Sequence, residues 1–307
     1  MMNNLGNDID AILITGPTAS GKSALALDFA KRFGGQVINA DSMQVYDVLR
    51  VLTARPSEEE MDGIPHHLYG HVPPGNTYST GDWLREAGDL LSRLKDRNVL
   101  PVIIGGTGLY FKALTGGLSD MPAVPDDIRR SLRGRLSAEG AEVLHRELAA
   151  RDPAMAERLN PQDGQRIVRA LEVLEATGRS ISEFQGKAGP MLVDPARAGK
   201  FVVLPDRALL HERINRRFAG MFQQGAVEEV EALLALGLSP EMPAMKAIGV
   251  SQIAAMLKGQ LSREEVIELA SAATRQYAKR QMTWFRNQMD ESWGRIDPAT
   301  FSAQSLR

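Results

Sequence analysis

Gly16-Pro17-Thr18-Ala19-Ser20-Gly21-Lys22-Ser23 matches the pattern G-x-x-x-x-G-K-[ST], and its surroundings decide the fold. Before it, Ala11-Ile12-Leu13-Ile14 is a short apolar run that predicts a strand. After it, Ser23 to Phe33 predicts a helix with Ala24, Leu25, Leu27 and Ala30 available for packing. Strand, glycine loop and helix in this order make a phosphate cradle. The glycines let backbone N–H groups turn toward one anion, and the helix N-terminus adds partial positive charge. Lys22 contributes a point charge to the terminal phosphate, and Ser23 can reach a magnesium ion shared with a diphosphate. The loop identifies a polyphosphate and leaves the rest of the ligand open.

Working outward, Val37-Ile38-Asn39-Ala40 is a second short strand that delivers Asp41 at its end. Val99 to Ile104 is another, tipped by Gly105-Gly106-Thr107-Gly108. With helical segments such as Thr80 to Lys95 between them, these runs predict a mostly parallel α/β sheet. From Met121 to about Lys200 the long apolar runs disappear, and helix-like segments are punctuated by Pro122, Pro125, Pro153, Pro161 and Gly178. Strand character resumes at Phe201-Val202-Val203-Leu204, followed by helices over Arg207–Gln224 and Val227–Leu236. The expected organisation is a core over residues 1–120, a helical insertion over 121–200, and completion of the core by 201–307.

The chain has 307 residues, 43% of them hydrophobic and 24% charged, which suits one large folded domain with a smaller one. The absence of cysteine excludes disulfides, thiolate metal sites and a cysteine nucleophile. Met1 to Asp10 lacks the basic-then-apolar arrangement of a signal peptide, and no run reaches membrane-spanning length, so a cytoplasmic protein is expected. A net charge of −2 argues against general coating of nucleic acid and directs attention to local patches.

Asp41 at a strand end can orient a magnesium-bound water, accept a proton from an attacking amine, or cap a helix. The strand ending at Ile104 carries no terminal carboxylate, which weakens a nucleotide-hydrolase reading. Thr107 offers a hydroxyl for a phosphate or an amine, or closes the turn. In Pro65-His66-His67 the adjacent side chains point oppositely, favouring local packing over metal ligation. Arg213 and Arg217 are four apart on one helix and can face one ligand. Near the C-terminus, Arg275, Lys279 and Arg286 fall within about 40° at the helical period, with Ala273, Tyr277 and Trp284 on the other side. Residues 271–289 contain four basic and no acidic residues, the local asymmetry of a nucleic-acid contact.

Together these segments resemble the tRNA dimethylallyltransferase family, or isopentenyl-diphosphate:tRNA transferases, of bacterial type. GPTASGKS at Gly16–Ser23, DSMQVY at Asp41–Tyr46, PHHL at Pro65–Leu68, GGTGLYFKAL at Gly105–Leu114 and QRIVRALEV at Gln165–Val173 occur in the family order. The likeness continues through Arg213–Phe218, Ala247-Ile248-Gly249 and Thr274–Gln281. It departs at DVLRVLTA, Asp47 to Ala54, where the family has a more glycine-containing stretch.

The resemblance implies a P-loop NTPase-like core and a dimethylallyl diphosphate donor whose diphosphate meets Gly16, Thr18, Ala19, Ser20, Gly21, Lys22, Ser23 and Arg213. It also implies magnesium at Ser23 and no ATP hydrolysis. The implied acceptor is adenosine 37 of tRNAs reading codons that begin with uridine. Asp41 would then be the general base, Thr107 its companion, and Arg217 a diphosphate contact. Contacts to the tRNA anticodon stem-loop are implied at Asp41, Ser42, Met43 and Gln44, and at Gln165, Arg166, Ile167, Val168 and Arg169. Arg275 and Lys279 extend them, and a monomer is expected. A nucleoside or nucleotide kinase and a nucleotide-dependent RNA-binding switch are the competing readings.

Overall fold

A computed structural model describes residues 9–119, 121–185, 189 and 191–298. In chain order the first elements are β1 (Ala11–Thr15), α1 (Lys22–Phe33), β2 (Gln36–Asn39), α2 (Glu58–Met61), β3 (His66–His67), α3 (Thr80–Asp96), β4 (Pro101–Gly105) and α4 (Gly108–Leu114). Helices α5 (Asp126–Glu139), α6 (Ala141–Arg151), α7 (Pro153–Glu157), α8 (Gly164–Thr177) and α9 (Ile181–Gln185) follow. The chain then returns through β5 (Ala198–Val203), α10 (Arg207–Met221), α11 (Ala226–Ala235), α12 (Val250–Leu257), α13 (Arg263–Gln288) and β6 (Gly294–Ile296).

The six strands form one parallel sheet in the order β3-β2-β4-β1-β5-β6. Every residue of β1 and of β4 is buried, as strands covered on both faces require. Their isoleucines, leucines and valines each contribute about 1.5–3 kcal/mol by leaving water. Register aligns Thr15 with Gly105 and Asn39 with Ile104, so the C-terminal ends of β1, β2 and β4 share one edge. A β-carbon on Gly105 would lie 2.0 Å from the Ala40 carbonyl oxygen; the close approach of the two strand ends therefore depends on glycine.

The described residues up to Thr115, together with those from Leu192 onward, form one compact unit, and Gly116–Met191 form a second. The second unit is helical. Leu132, Leu144, Leu148, Ile167 and Leu171 pack in its core. In the first unit, apolar side chains fill both faces of the sheet: Phe29 and Ala30 of α1 on one, Trp83 and Ala87 of α3 on the other. Among the described residues no helix is long and apolar enough to cross a membrane.

The parallel α/β sheet agrees with the sequence, while several boundaries move. Val99 belongs to the turn closing α3, where its N–H bonds to Leu94 and Asn98 takes φ 53°. Helix α10 stops at Met221 because Gln223 and Gln224 enter turns leading to Gly225 at φ 94°. Strand β5 opens at Ala198, earlier than its apolar centre suggested. The edge strands β3 and β6 have two and three residues, too few to carry a period in sequence.

Candidate active site

The loop after β1 passes directly into α1. Gly16 is required where it stands, since a β-carbon there would lie 2.6 Å from the Val203 carbonyl oxygen and 3.0 Å from Ser20 Oγ. Gly21, at φ 92°, caps α1 in the left-handed region. Ala19 takes φ 62°, a conformation that costs a non-glycine residue about 1–2 kcal/mol. Ser23 is exposed in the first turn of α1. Ser20 Oγ is buried without a hydrogen-bond partner. The Thr18 N–H donates to Gln281 Oε1 at 3.0 Å, so this amide faces α13 rather than the loop interior.

Lys22 folds back, its ammonium donating to the Pro17 carbonyl at 3.1 Å. Burial lowers its pKa to about 8; Asp41 opposes that shift and Arg217 reinforces it. Arg217 is an exposed residue that lines the concave surface beside Asp41. Desolvation there pushes its pKa down, against the pull of Glu60 and Asp41.

Asp41 does not cap a helix. Its Oδ1 accepts the Met43 N–H at 2.9 Å, while its own N–H donates to Asn39 Oδ1 at 2.9 Å, so the carboxylate is fixed by a local turn. Thr107 precedes α4 without capping it. Instead its Oγ1 accepts the Ser42 N–H at 2.9 Å and its N–H donates to the Ala40 carbonyl at 3.2 Å, which pins the segment carrying Asp41 against the β4 turn.

A cavity of about 360 Å³ opens beside these groups, lined by Thr18, Asp41, Ser42 and Arg217 together with Ala19 and Met43. Leu52, Phe218, Met221 and Ile248 supply an apolar wall, and Tyr277 and Arg280 of α13 complete the rim. Burial, then Asp41, raises the Tyr277 pKa and keeps the phenol neutral. A second cavity of about 770 Å³ shares Ala19 and Arg217 and reaches Gly21, Arg213 and Arg216. The structure thus brings together the phosphate loop, Asp41, Arg213 and Arg217, with Thr107 acting through Ser42.

Other predicted contacts divide differently. Gln44 Nε2 donates to the Thr53 and Ala54 carbonyls, closing the divergent 47–54 loop. Glu229 holds the same loop by accepting the N–H groups of Arg50, Val51 and Leu52 at 2.8, 2.6 and 2.9 Å. On α8, Ile167 and Val168 are 0% and 4% exposed and pack in the core of the helical unit. Their side chains offer no surface to RNA, which corrects that expectation. Gln165 and Arg166 are exposed, with Arg166 3.4 Å from Asp163. Arg169 pairs at 3.2 Å with the buried Glu172.

On α13 the buried face is that of Ala278, Gln281 and Phe285. The basic stripe lies about 90° to one side of it and the Tyr277–Trp284 stripe about the same to the other. The two stripes, opposite each other as the sequence places them, therefore flank the packed face, and neither of them is that face. Arg275 is tied to Asn215 and to Glu268, whereas Lys279 is exposed. His66 and His67 are held by Ile64 O at 2.8 Å and Gln36 Oε1 at 2.7 Å. Among the described residues no group of three or more His, Cys, Asp or Glu side chains is placed to hold a metal.

Two features escaped the sequence reading: the bridge made by Gln281 and the loop clamp made by Glu229. A glutamine on the packed face of a helix was the available signal for the first. Nothing local announces the second, because Glu229 meets a loop far away in sequence.

The profile of the IPP transferase family matches residues 44–288, and that of isopentenyl transferases matches residues 9–69. A tRNA dimethylallyltransferase of Allorhizobium ampelinum is 73% identical over 97% of this chain and 98% of its own length. One from Agrobacterium fabrum is 69% identical over 97% and 100%. The crystal structure of a Bacillus halodurans tRNA isopentenylpyrophosphate transferase superposes with a TM-score of 0.66 at 34% identity, covering 94% of this chain and 89% of that one. A eukaryotic dimethylallyltransferase acting on tRNA gives a TM-score of 0.80 at 28% identity, covering 94% and 73%. The phosphate loop, the strand-end carboxylate and near-complete coverage by such relatives lead to one conclusion: this chain belongs to the IPP transferase family.

Proposed function

We infer that this enzyme transfers a dimethylallyl group from dimethylallyl diphosphate to the exocyclic amine of an adenosine in tRNA, releasing diphosphate. We take the acceptor to be adenosine 37 of tRNAs that read codons beginning with uridine, and the enzyme to work as a cytoplasmic monomer. The observation that carries the reading is a single cavity where the phosphate loop and the Asp41 carboxylate meet beside an apolar wall. Relatives 73% and 69% identical named tRNA dimethylallyltransferase support it over a kinase.

In this reading the amine nitrogen attacks the allylic carbon as the carbon–oxygen bond to diphosphate breaks, and the amine proton passes to Asp41. The amine is a weak nucleophile, so proton acceptance accompanies bond formation. Negative charge growing on the leaving group is offset by Lys22, Arg217 and Arg213. Leu52, Phe218 and Ile248 suit the hydrocarbon and keep water from the reacting carbon. Ser23, exposed in the first turn of α1, would hold magnesium through its hydroxyl oxygen, a donor suited to a hard cation. When bound, the ion would add positive charge beside the leaving group. Gln165, Arg166, Arg169 and Lys279 are taken as the tRNA-facing groups, together with Ser42, Met43 and Gln44, whereas Arg275, held by Asn215 and Glu268, is taken to brace α13 beside them.

The test is incubation of the purified protein with magnesium, dimethylallyl diphosphate and unmodified tRNA, followed by nucleoside mass analysis. Prenylated adenosine is expected without ATP. Phosphorylated product, or an absolute need for ATP, would reject the reading.

A further inference from the structure

Gln281 is 6% exposed, on the face of α13 that packs into the protein. Both ends of its amide are used, on two segments distant in sequence. Oε1 accepts the Thr18 N–H at 3.0 Å, and Nε2 donates to the Gly106 carbonyl at 2.9 Å. Thr18 lies in the phosphate loop. Gly106 precedes Thr107, whose Oγ1 holds the Ser42 N–H beside Asp41. A β-carbon on Gly106 would lie 2.3 Å from Gln281 Nε2 and 3.3 Å from Asp41 Oδ2, so amide and carboxylate converge on one glycine.

We propose that Gln281 is a positioning residue for prenyl transfer, fixing the separation between the loop that holds the leaving diphosphate and the Asp41–Thr107 edge that receives the amine. The inference rests on the function proposed above. Only a planar group that both accepts and donates satisfies this bridge; an ionised carboxylate accepts only, and a hydrocarbon does neither. Losing it leaves two backbone groups without their partner and frees the segments to drift. A misplacement of about 1 Å between reacting groups can slow a reaction about 10²-fold.

The experiment compares kcat, KM for dimethylallyl diphosphate and affinity for inorganic diphosphate in the wild-type enzyme, Gln281→Leu and Gln281→Glu, with folded fraction measured by circular dichroism. For Gln281→Leu, kcat should fall about 30-fold per folded molecule, with KM and diphosphate affinity within about threefold. In Gln281→Glu the side chain donates to Gly106 only when protonated. Its activity relative to wild type should therefore rise at least about threefold between about pH 8 and about pH 6, where a buried carboxyl takes up its proton. A kcat that tracks folded fraction alone overturns the proposal, as does loss confined to KM and diphosphate affinity. If Gln281→Leu does not fold, the pH ratio of Gln281→Glu decides, and a flat ratio refutes the bridge. Failure of the wild-type enzyme to prenylate tRNA would instead refute the function reading.

Discussion

In the phosphate loop, the backbone itself dictates the residues. Gly16 faces Val203 too closely for a side chain, and Gly21 stands at φ 92°. In α13 almost any helix former would give the same backbone, and what matters is which neighbour each side chain meets. Gln281 reaches the loop and the β4 turn, Arg275 reaches Asn215 and Glu268, and Lys279 stays exposed. Conformational necessity leaves a local trace in sequence, while a tertiary partner leaves almost none. The two regions should accordingly fail in different ways when altered.

The largest effect belongs to the strand-end carboxylate beside the loop. Asp41→Asn keeps the size and one acceptor oxygen but removes useful basicity. A fall of about 10²–10⁴-fold in the single-turnover rate is expected, with donor and tRNA binding much less affected. A near-normal rate with both substrates saturating would remove Asp41 as the base. Next comes Lys22→Ala, expected to lower transfer by about 10²–10³-fold, on the scale of removing one preorganised charge from a site of developing negative charge. Unchanged transfer and donor affinity would sink that assignment.

Lys22 also makes a prediction about pH. Its pKa is lowered to about 8, so in the free enzyme the ammonium loses its proton as pH rises through that value. Only the protonated form attracts an anion. Titration with inorganic diphosphate should therefore show affinity falling from about pH 7 to about pH 9, with a flatter profile in Lys22→Ala. The same slope in both proteins would mean that another group titrates.

Gly16→Ala tests backbone necessity directly. The added methyl would meet the Val203 carbonyl at 2.6 Å, which should destabilise the fold by about 1–3 kcal/mol in denaturant unfolding. A variant as stable as wild type would show that the loop has room to shift. The smallest effects separate two cations on α13. Lys279→Ala should reduce the salt slope of tRNA binding by about one, as expected for one phosphate contact. Arg275→Ala should leave that slope nearly unchanged and lower stability by less than about 1 kcal/mol, because its charge is spent on Glu268 at 3.2 Å. Equal slopes for the two variants would erase the distinction drawn from the geometry.

Much of the core could be read from sequence. The apolar runs of β1, β2 and β4 and the glycine loop give the parallel sheet, and the ends of those runs bring Asp41 and Thr107 toward the phosphate loop. On α8 the spacing of Ile167, Ala170, Leu171 and Leu174 marks an inward face, even though the matched motif carries Ile167 among the RNA contacts. What could not be read depends on distant partners: Glu229 holding the backbone of Arg50–Leu52, Gln281 joining Thr18 to Gly106, and the flank of α13 on which each basic residue lies. The helical period orders side chains around an axis but does not say which face another element will cover.

One measurement tests the central claim most directly: a single turnover of the wild-type enzyme with labelled dimethylallyl diphosphate and unmodified tRNA, in magnesium buffer free of nucleotides. Transferred label and released diphosphate are followed together. The account predicts that the two appear at the same rate and in equal amounts, with all transferred label on adenosine. Diphosphate released without label reaching the RNA, or transfer that begins only when ATP is added, would contradict it.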